Sequence, residues 1–335
     1  MANLTFLPLS EVVPEDVSWL WPQWIPRGTL TFMVGEPGVG KSSISWDLLA
    51  RLTSGARWPD GSTSAPGKGL IVSGEDHLAN RIVPQLKHYG ADMSRLDSID
   101  ANGATAGGRA LRLDRDCGLL EAHVRDSGTD FVVIDPLDAF LGDVNPNYGS
   151  EIRTITSSLA GMAARTGAAV IVLHHFNKAE KGSLVNRVAG SIDIVGAART
   201  VLYVVEDPSD ARRRAMFVSK SNLGQNSRAI LYQQDIEGRL GWSPAPADFD
   251  WRKSMSAKKD GVVEEAEAFL QVMMQEHEGE VRSSLALDQA RDAGISKHSL
   301  DRAKASLGIR SERRGGANGF WVFCVRTDEK TDPPR

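Results

Sequence analysis

The chain has 335 residues, a formal net charge of −4 and two cysteines, Cys117 and Cys324. That length accommodates one large domain and a small one. The charge excludes a uniformly basic nucleic-acid coat, and two distant cysteines suit neither a disulfide framework nor a metal site. No apolar run approaches the roughly 18 residues of a membrane span, and no basic stretch leads into an apolar one at the start, so a cytoplasmic protein without membrane contact is expected.

Residues 1–28 form an N-terminal segment with Trp19, Trp21 and Trp24 set among Pro14, Pro22 and Pro26. So much indole is costly to leave in water. The segment is expected to pack on the core, with stacking on a base or a neighbouring subunit as the alternative.

The apolar, β-branched run Thr29–Val34 reads as a buried strand. Gly35-Glu36-Pro37-Gly38-Val39-Gly40-Lys41-Ser42 follows and fits G-x-x-x-x-G-K-[ST], and Ser43–Leu52 has helical apolar spacing. Strand, glycine loop and helix are the context a phosphate-binding loop requires. Its backbone N–H groups curl around phosphates, and the helix N-terminus adds a positive dipole end. Lys41 is expected to reach the β- and γ-phosphates of ATP and the Ser42 hydroxyl to bind Mg²⁺. Residues Gly35 to Ser42, with Ser43, make up the nucleotide-binding set.

A turn-rich loop, Trp58–Gly67, leads to a second buried strand, Gly69–Gly74, which delivers Glu75 and Asp76 at its carboxyl end. In open parallel sheets chemistry collects there. Glu75 is assigned as the base that activates water and Asp76 as the N-cap of the next helix, His77–Tyr89. A weak strand near Ile99, the loop Gly103–Gly108 and a helix over Asp116–Ser127 precede Phe131-Val132-Val133-Ile134-Asp135. Four apolar residues ending in Asp form the Walker B pattern, with Asp135 on the Mg²⁺ shell. A helix over 151–166 and a strand over Ala169–Leu173 follow, the latter ending in His174-His175-Phe176-Asn177-Lys178. The paired histidines lack Cys or acidic partners at ligand spacing, and His175 is assigned as γ-phosphate sensor. Strands near Thr200–Val205 and Arg214–Ser219 come next, and the second delivers Lys220.

Taken in order, the P-loop, Gly74-Glu75-Asp76, Val133–Pro136, His174–Lys178, Gly190-Ser191 with Arg199, and Ser219-Lys220-Ser221-Asn222 resemble the RecA-type ATPases of the RepA/DnaB helicase group. The resemblance covers roughly residues 15–243. It implies an α/β, RecA-like P-loop core, and a homo-oligomeric ring, usually a hexamer, with ATP between neighbouring subunits. It also implies catalytic roles for Lys41, Glu75 and His175, and an ATP-driven motor on DNA, a replicative helicase. Lys220 stands where relatives place the lysine of a trans-acting Lys-x-Arg pair, but Asn222 occupies the arginine position, leaving Arg199 or Arg228 as substitutes. The loops Gly142–Ser150 and Phe176–Asp193 correspond to those facing the ring channel. Lys178, Lys181 and Arg187 in the second suit contacts to single-stranded DNA, or an ordinary solvated loop. A recombination or repair ATPase that binds DNA without unwinding it, and an ATP-switched regulatory DNA-binding protein, are the alternatives.

Residues 244–259 read as a linker after the 29–243 core. Within 260–326, three helices (Val262–Glu276, Ser284–Ala293 and one capped by Ser296 running to Leu307) and a hairpin near Ile309–Arg313 and Phe320–Val325 predict a winged helix. Its second half is basic: 297–326 holds seven Lys or Arg against two acidic residues, whereas 260–296 holds two against nine. Lys297, Arg302, Lys304, Arg310, Arg313 and Arg314 are candidates for contact with duplex DNA, the other reading being a ring-assembly module. The charged tail 327–335 is expected to be disordered.

Overall fold

The computed structural model describes residues 8–100, 109–142, 149–175, 198–207, 210–223, 229–246, 249, 265–315 and 319–325. The chain divides into two compact units, Met1–Trp251 and Arg252–Arg335. In the first, β1 (Trp19–Trp21) and β2 (Ile25–Pro26) form a small antiparallel pair. A nine-stranded sheet is built from β3 (Leu30–Gly35), β4 (Gly69–Ser73), β5 (Leu96–Asp100), β6 (Phe131–Asp135), β7 (Ala169–His175), β8 (Thr200–Asp207), β9 (Asp210–Ser221), β10 (Ala229–Gln234) and β11 (Leu240–Pro244). Its order is β11-β10-β9-β8-β3-β7-β6-β4-β5. The six strands from β8 to β5 are parallel, and β9, β10 and β11 continue the sheet antiparallel.

Strands covered on both faces read as continuous apolar runs, which is why β3, β4 and β6 carry almost no polar residues. Helices α1 (Lys41–Ser54), α2 (Val83–His88), α3 (Leu113–Ser127) and α4 (Gly149–Thr166) supply the cover. Ile44, Trp46, Leu48 and Leu49 of α1 share one core with Met33, Ile71, Val133 and Ile171 of the sheet. Alternate strand residues point to the opposite face, where α4 packs on β3 and β7 with α3 beside it. Trp21 and Trp24 are buried in the α1 core and stack at 4.8 Å, and Trp58 stacks on Trp21 at 5.8 Å. Each indole removes about 150–250 Å² from water, about 4–6 kcal/mol before ordering costs. Trp58 lies in the loop that reads as turns alone, so that loop is anchored.

In the second unit a helix, α5, runs over 265–276. It is followed by β12 (Glu280–Arg282), α6 (Ser283–Asp292), α7 (Lys297–Ser306), β13 (Ile309–Arg314) and β14 (Phe320–Val325), with sheet order β12-β14-β13. Ser296 caps α7, its hydroxyl accepting from the Ser299 N–H at 3.1 Å. Ala266, Leu270, Met273, Leu300 and Phe323 meet in this unit's core. Among the described residues no helix is long and apolar enough to cross a membrane.

Candidate functional site

Parallel pairing aligns the carboxyl ends of β3, β7, β6 and β4 along one edge of the first unit's sheet. The loop leaving β3 turns through Gly40 at φ +92°, a left-handed conformation that a side chain would strain. Gly40 is also the N-cap of α1 and offers no side-chain cap, so the first-turn N–H groups are available to an anion. Lys41 is buried beneath the loop and its Nζ donates to the Gly35 and Glu36 carbonyls, 2.9 Å each. Burial lowers its pKa to about 8, against the attraction of Asp135, Glu75 and Glu36.

Two strands away, β6 ends in Asp135. Its register partner on β4 is Ser73, and the next N–H, that of Gly74, donates to the Asp135 carbonyl at 2.9 Å. A Cβ on Gly74 would collide with that of Ala139, so only glycine permits this close approach. The contact sets Glu75, exposed, and Asp76, half-buried, beside the Asp135 carboxyl. Burial raises the Asp135 pKa to about 6. A hydrogen bond from Ser42 opposes the rise, Asp76 and Glu75 add to it, and Lys41 opposes it. Ser42 and Asp135 therefore present two hard oxygens together. Mg²⁺ is held by few protein oxygens when phosphates complete its shell, so these residues fit it.

Asp76 does not act as the expected cap. The helix starts one residue later, at an N-cap His77 without a side-chain bond, and opens as a wide π-type turn over Leu78–Ile82 before α2. The Asp76 carbonyl instead accepts from the Ser73 hydroxyl at 3.1 Å. His175 pairs in register with Gly35 at the end of β7, and its side chain lies outside the described part. The Nδ1 of His174 stands 3.5 Å from a carboxylate oxygen of Asp138. Lys220 is elsewhere. Because β9 runs antiparallel, Lys220 pairs with Val201, whereas the P-loop end of β3 pairs with Val204. Three residues of strand, roughly 10 Å, separate those levels. Lys220 thus lies toward the opposite end of the sheet, its Nζ donating to the Ala198 carbonyl at 3.3 Å. Lys178, Lys181, Arg187, Gly190, Ser191 and Arg228 fall outside the described residues, as do Gly103–Gly108 and the tail.

In the second unit the basic residues are not equivalent. Arg314 is paired with Glu280 at 2.7 Å and Glu312 at 2.9 Å. Lys304 lies 3.9 Å over the Phe323 ring and donates to Ser311 at 2.8 Å. Lys297, Arg302, Arg310 and Arg313 line α7 and β13 at solvent-exposed positions.

Sequence reasoning missed Tyr232 of β10, whose buried hydroxyl donates to the Val39 carbonyl of the loop. No local signal marks a contact between residues 193 apart.

The family model described as an AAA domain matches residues 4–181. A curated relative, the DNA repair protein RadA of Bacillus subtilis (strain 168), is 24% identical over 217 residues, 64% of this chain. The chain spans 41% of that relative's length. A KaiC-like protein from the archaeon Pyrococcus horikoshii OT3 superposes with a TM-score of 0.50 at 14% identity, covering 68% of this chain and all of that one. A RadB recombinase superposes at 0.47 with 15% identity, over 66% of this chain and 93% of that chain. The central sheet with its P-loop is thus the RecA-like core expected from the motifs.

Proposed function

We propose, from the premise that this chain belongs to the AAA domain family of P-loop ATPases, that it is a DNA-dependent ATPase of the recombination and repair type. The observation that carries the chemistry is the meeting of Lys41, Ser42, Asp135 and Glu75 at one sheet edge, above an uncapped helix N-terminus. Lys41 and the loop N–H groups hold the nucleotide phosphates, Ser42 and Asp135 hold Mg²⁺, and Glu75 accepts the proton of the attacking water. Bound Mg²⁺ would supply charge neutralisation on the phosphate oxygens. His175, at the tip of β7, is the proposed sensor of the γ-phosphate.

The likeness to a protein named for DNA repair favours this reading over the replicative helicase that the motif order suggests. Lys220, remote from its own P-loop, suits a role in the site of a neighbouring subunit of a homo-oligomer. The second unit, a winged helix in this reading, holds duplex DNA through its basic side. ATP turnover measured with and without single-stranded DNA, beside fork unwinding, tests the proposal. Stimulation without unwinding is expected. Unwinding would restore the helicase, including its hexameric ring, and turnover indifferent to DNA would leave an ATP-switched regulator.

A further inference from the structure

The β10–β11 hairpin ends the sheet of the first unit and is tied back to the phosphate loop, to α1 and to the end of α2. Tyr232 and Trp242 are cross-strand partners with ring centroids 5.1 Å apart. The Tyr232 hydroxyl donates to the Val39 carbonyl. The Trp242 indole N–H donates to Asp47 of α1 at 2.8 Å, where Arg51 also donates at 2.7 Å. At the hairpin tip the Gly238 carbonyl accepts from the Tyr89 hydroxyl, just past α2, at 2.8 Å.

The contact to Val39 has a consequence for anion binding. In a trans peptide the C=O and the following N–H point in opposite directions. Fixing the Val39 carbonyl toward Tyr232 therefore turns the Gly40 N–H away from that hydroxyl, and it is by such N–H groups that these loops gather phosphate oxygens. Val39 stands between Gly38 at φ +82° and Gly40 at φ +92°. Glycines on both sides leave these peptides with more rotational freedom than side-chain-bearing neighbours would. The local sequence therefore leaves their orientation open to a tie from outside the loop. Burial pushes the Tyr232 hydroxyl far above the usual tyrosine range, so it remains a donor throughout the working pH range.

We propose that Tyr232 is a positioning residue for the phosphate loop, holding the Val39–Gly40 peptide in its anion-binding orientation. The inference rests on the ATP-binding reading above. It is tested on the full chain with Tyr232→Phe, which removes one oxygen and keeps the ring, and with Trp242→Phe, which removes the neighbouring bond to Asp47. Mg-ATP affinity is measured by titration calorimetry, steady-state kinetics are compared, and melting of the nucleotide-free proteins is followed. Tyr232→Phe should weaken ATP binding about 2- to 12-fold, the scale of one net hydrogen bond. Its KM should rise in step while kcat is retained, because Glu75 and Asp135 are untouched. Trp242→Phe should lower the melting temperature at least as much, yet leave ATP affinity within the spread of wild-type measurements. Wild-type affinity in Tyr232→Phe, or equal weakening in both variants, would overturn the inference while leaving the ATPase reading intact. A wild-type protein that binds no ATP would overturn both.

Discussion

Lys41 and Asp135 are pushed toward their neutral forms by the same burial, while Glu75 stands in solvent beside them. The difference separates their roles. A buried carboxyl held near pKa 6 gains from a cation, and an exposed carboxylate is open to the water that the proposed base is to activate. Asp135 can be read from stability alone. Its ordinary value is 3.8, so below that pH both folded and unfolded chains hold the proton and nothing is lost. Between 3.8 and about 6 the folded chain keeps a proton that the unfolded chain has released, so stability falls as pH rises. Above about 6 the loss is constant. Asp135→Asn should therefore melt higher than wild type by a margin that grows from pH 4 to pH 6 and then levels. The margin is at most about 3 kcal/mol at the usual value per pKa unit, and partial exposure reduces it. Thermal melts without nucleotide check this, and a margin independent of pH would remove Asp135 from the strained position assigned to it. Glu75→Gln, by contrast, should bind Mg-ATP as wild type does while hydrolysis falls by roughly 10²–10⁴, the scale of a general base. Turnover within a few-fold of wild type would transfer that role to Asp76.

At the scale of elements, β9 makes the assembly testable, because its antiparallel course puts Lys220 toward the far end of the sheet from Lys41. If Lys220 serves a neighbour's site, Lys41→Ala and Lys220→Ala proteins are each inactive, yet mixing them should restore part of the turnover. Some interfaces then pair an intact Lys41 with an intact Lys220. Activity per subunit should also rise with concentration, and mixed oligomers without recovery would exclude the shared site. The parallel strands β3, β4, β6 and β7 were legible because burial on both faces writes itself as unbroken apolar runs, and the P-loop because its glycines have local geometric reasons. Elements held by distant partners were not. β12 has a single apolar residue, Val281, and exists because β14 pairs with it some 40 residues later. β10 and β11 are not legible, because β10 closes on Gln233 and Gln234 and β11 sets Leu240 and Trp242 among Gly241, Ser243 and Pro244, although they carry Tyr232 and Trp242. Asp76 misled as a cap because the chain opens in a π-type turn, which capping patterns do not describe.

At the scale of the molecule, the second unit is joined to the first through residues that carry no apolar period, so its contribution can be separated by charge alone. Among the described residues of this unit, Arg291, Lys304 and Arg314 stand in ion pairs, whereas Lys297, Arg310 and Arg313 do not. An arginine already neutralised by Glu280 and Glu312 would have to break those pairs to meet a phosphate, whereas Lys297, Arg310 and Arg313 need break none. The sequence does not distinguish them, since Arg313 and Arg314 are adjacent and identical in type. The strand does, because successive side chains point to opposite faces, and only that of Arg314 meets Glu280. If this unit binds duplex DNA, each phosphate contact contributes about 0.9 to the slope of log K against log salt. Replacing Lys297, Arg310 and Arg313 together by alanine in the full chain should flatten that slope by up to about 2.7. Arg314→Ala should change the slope by less than the 0.9 of one contact, and lower the melting temperature of the unit instead. DNA-independent ATP turnover should stay at the wild-type level in both, since none of the four residues belongs to the P-loop unit. An assembly module predicts a different pattern: the slope is insensitive from the start, and the triple variant loses its oligomers in sedimentation. Fluorescence anisotropy on a labelled duplex across a salt series, run beside sedimentation velocity, separates the two. A slope unmoved by the triple substitution would refute DNA contact through these three residues.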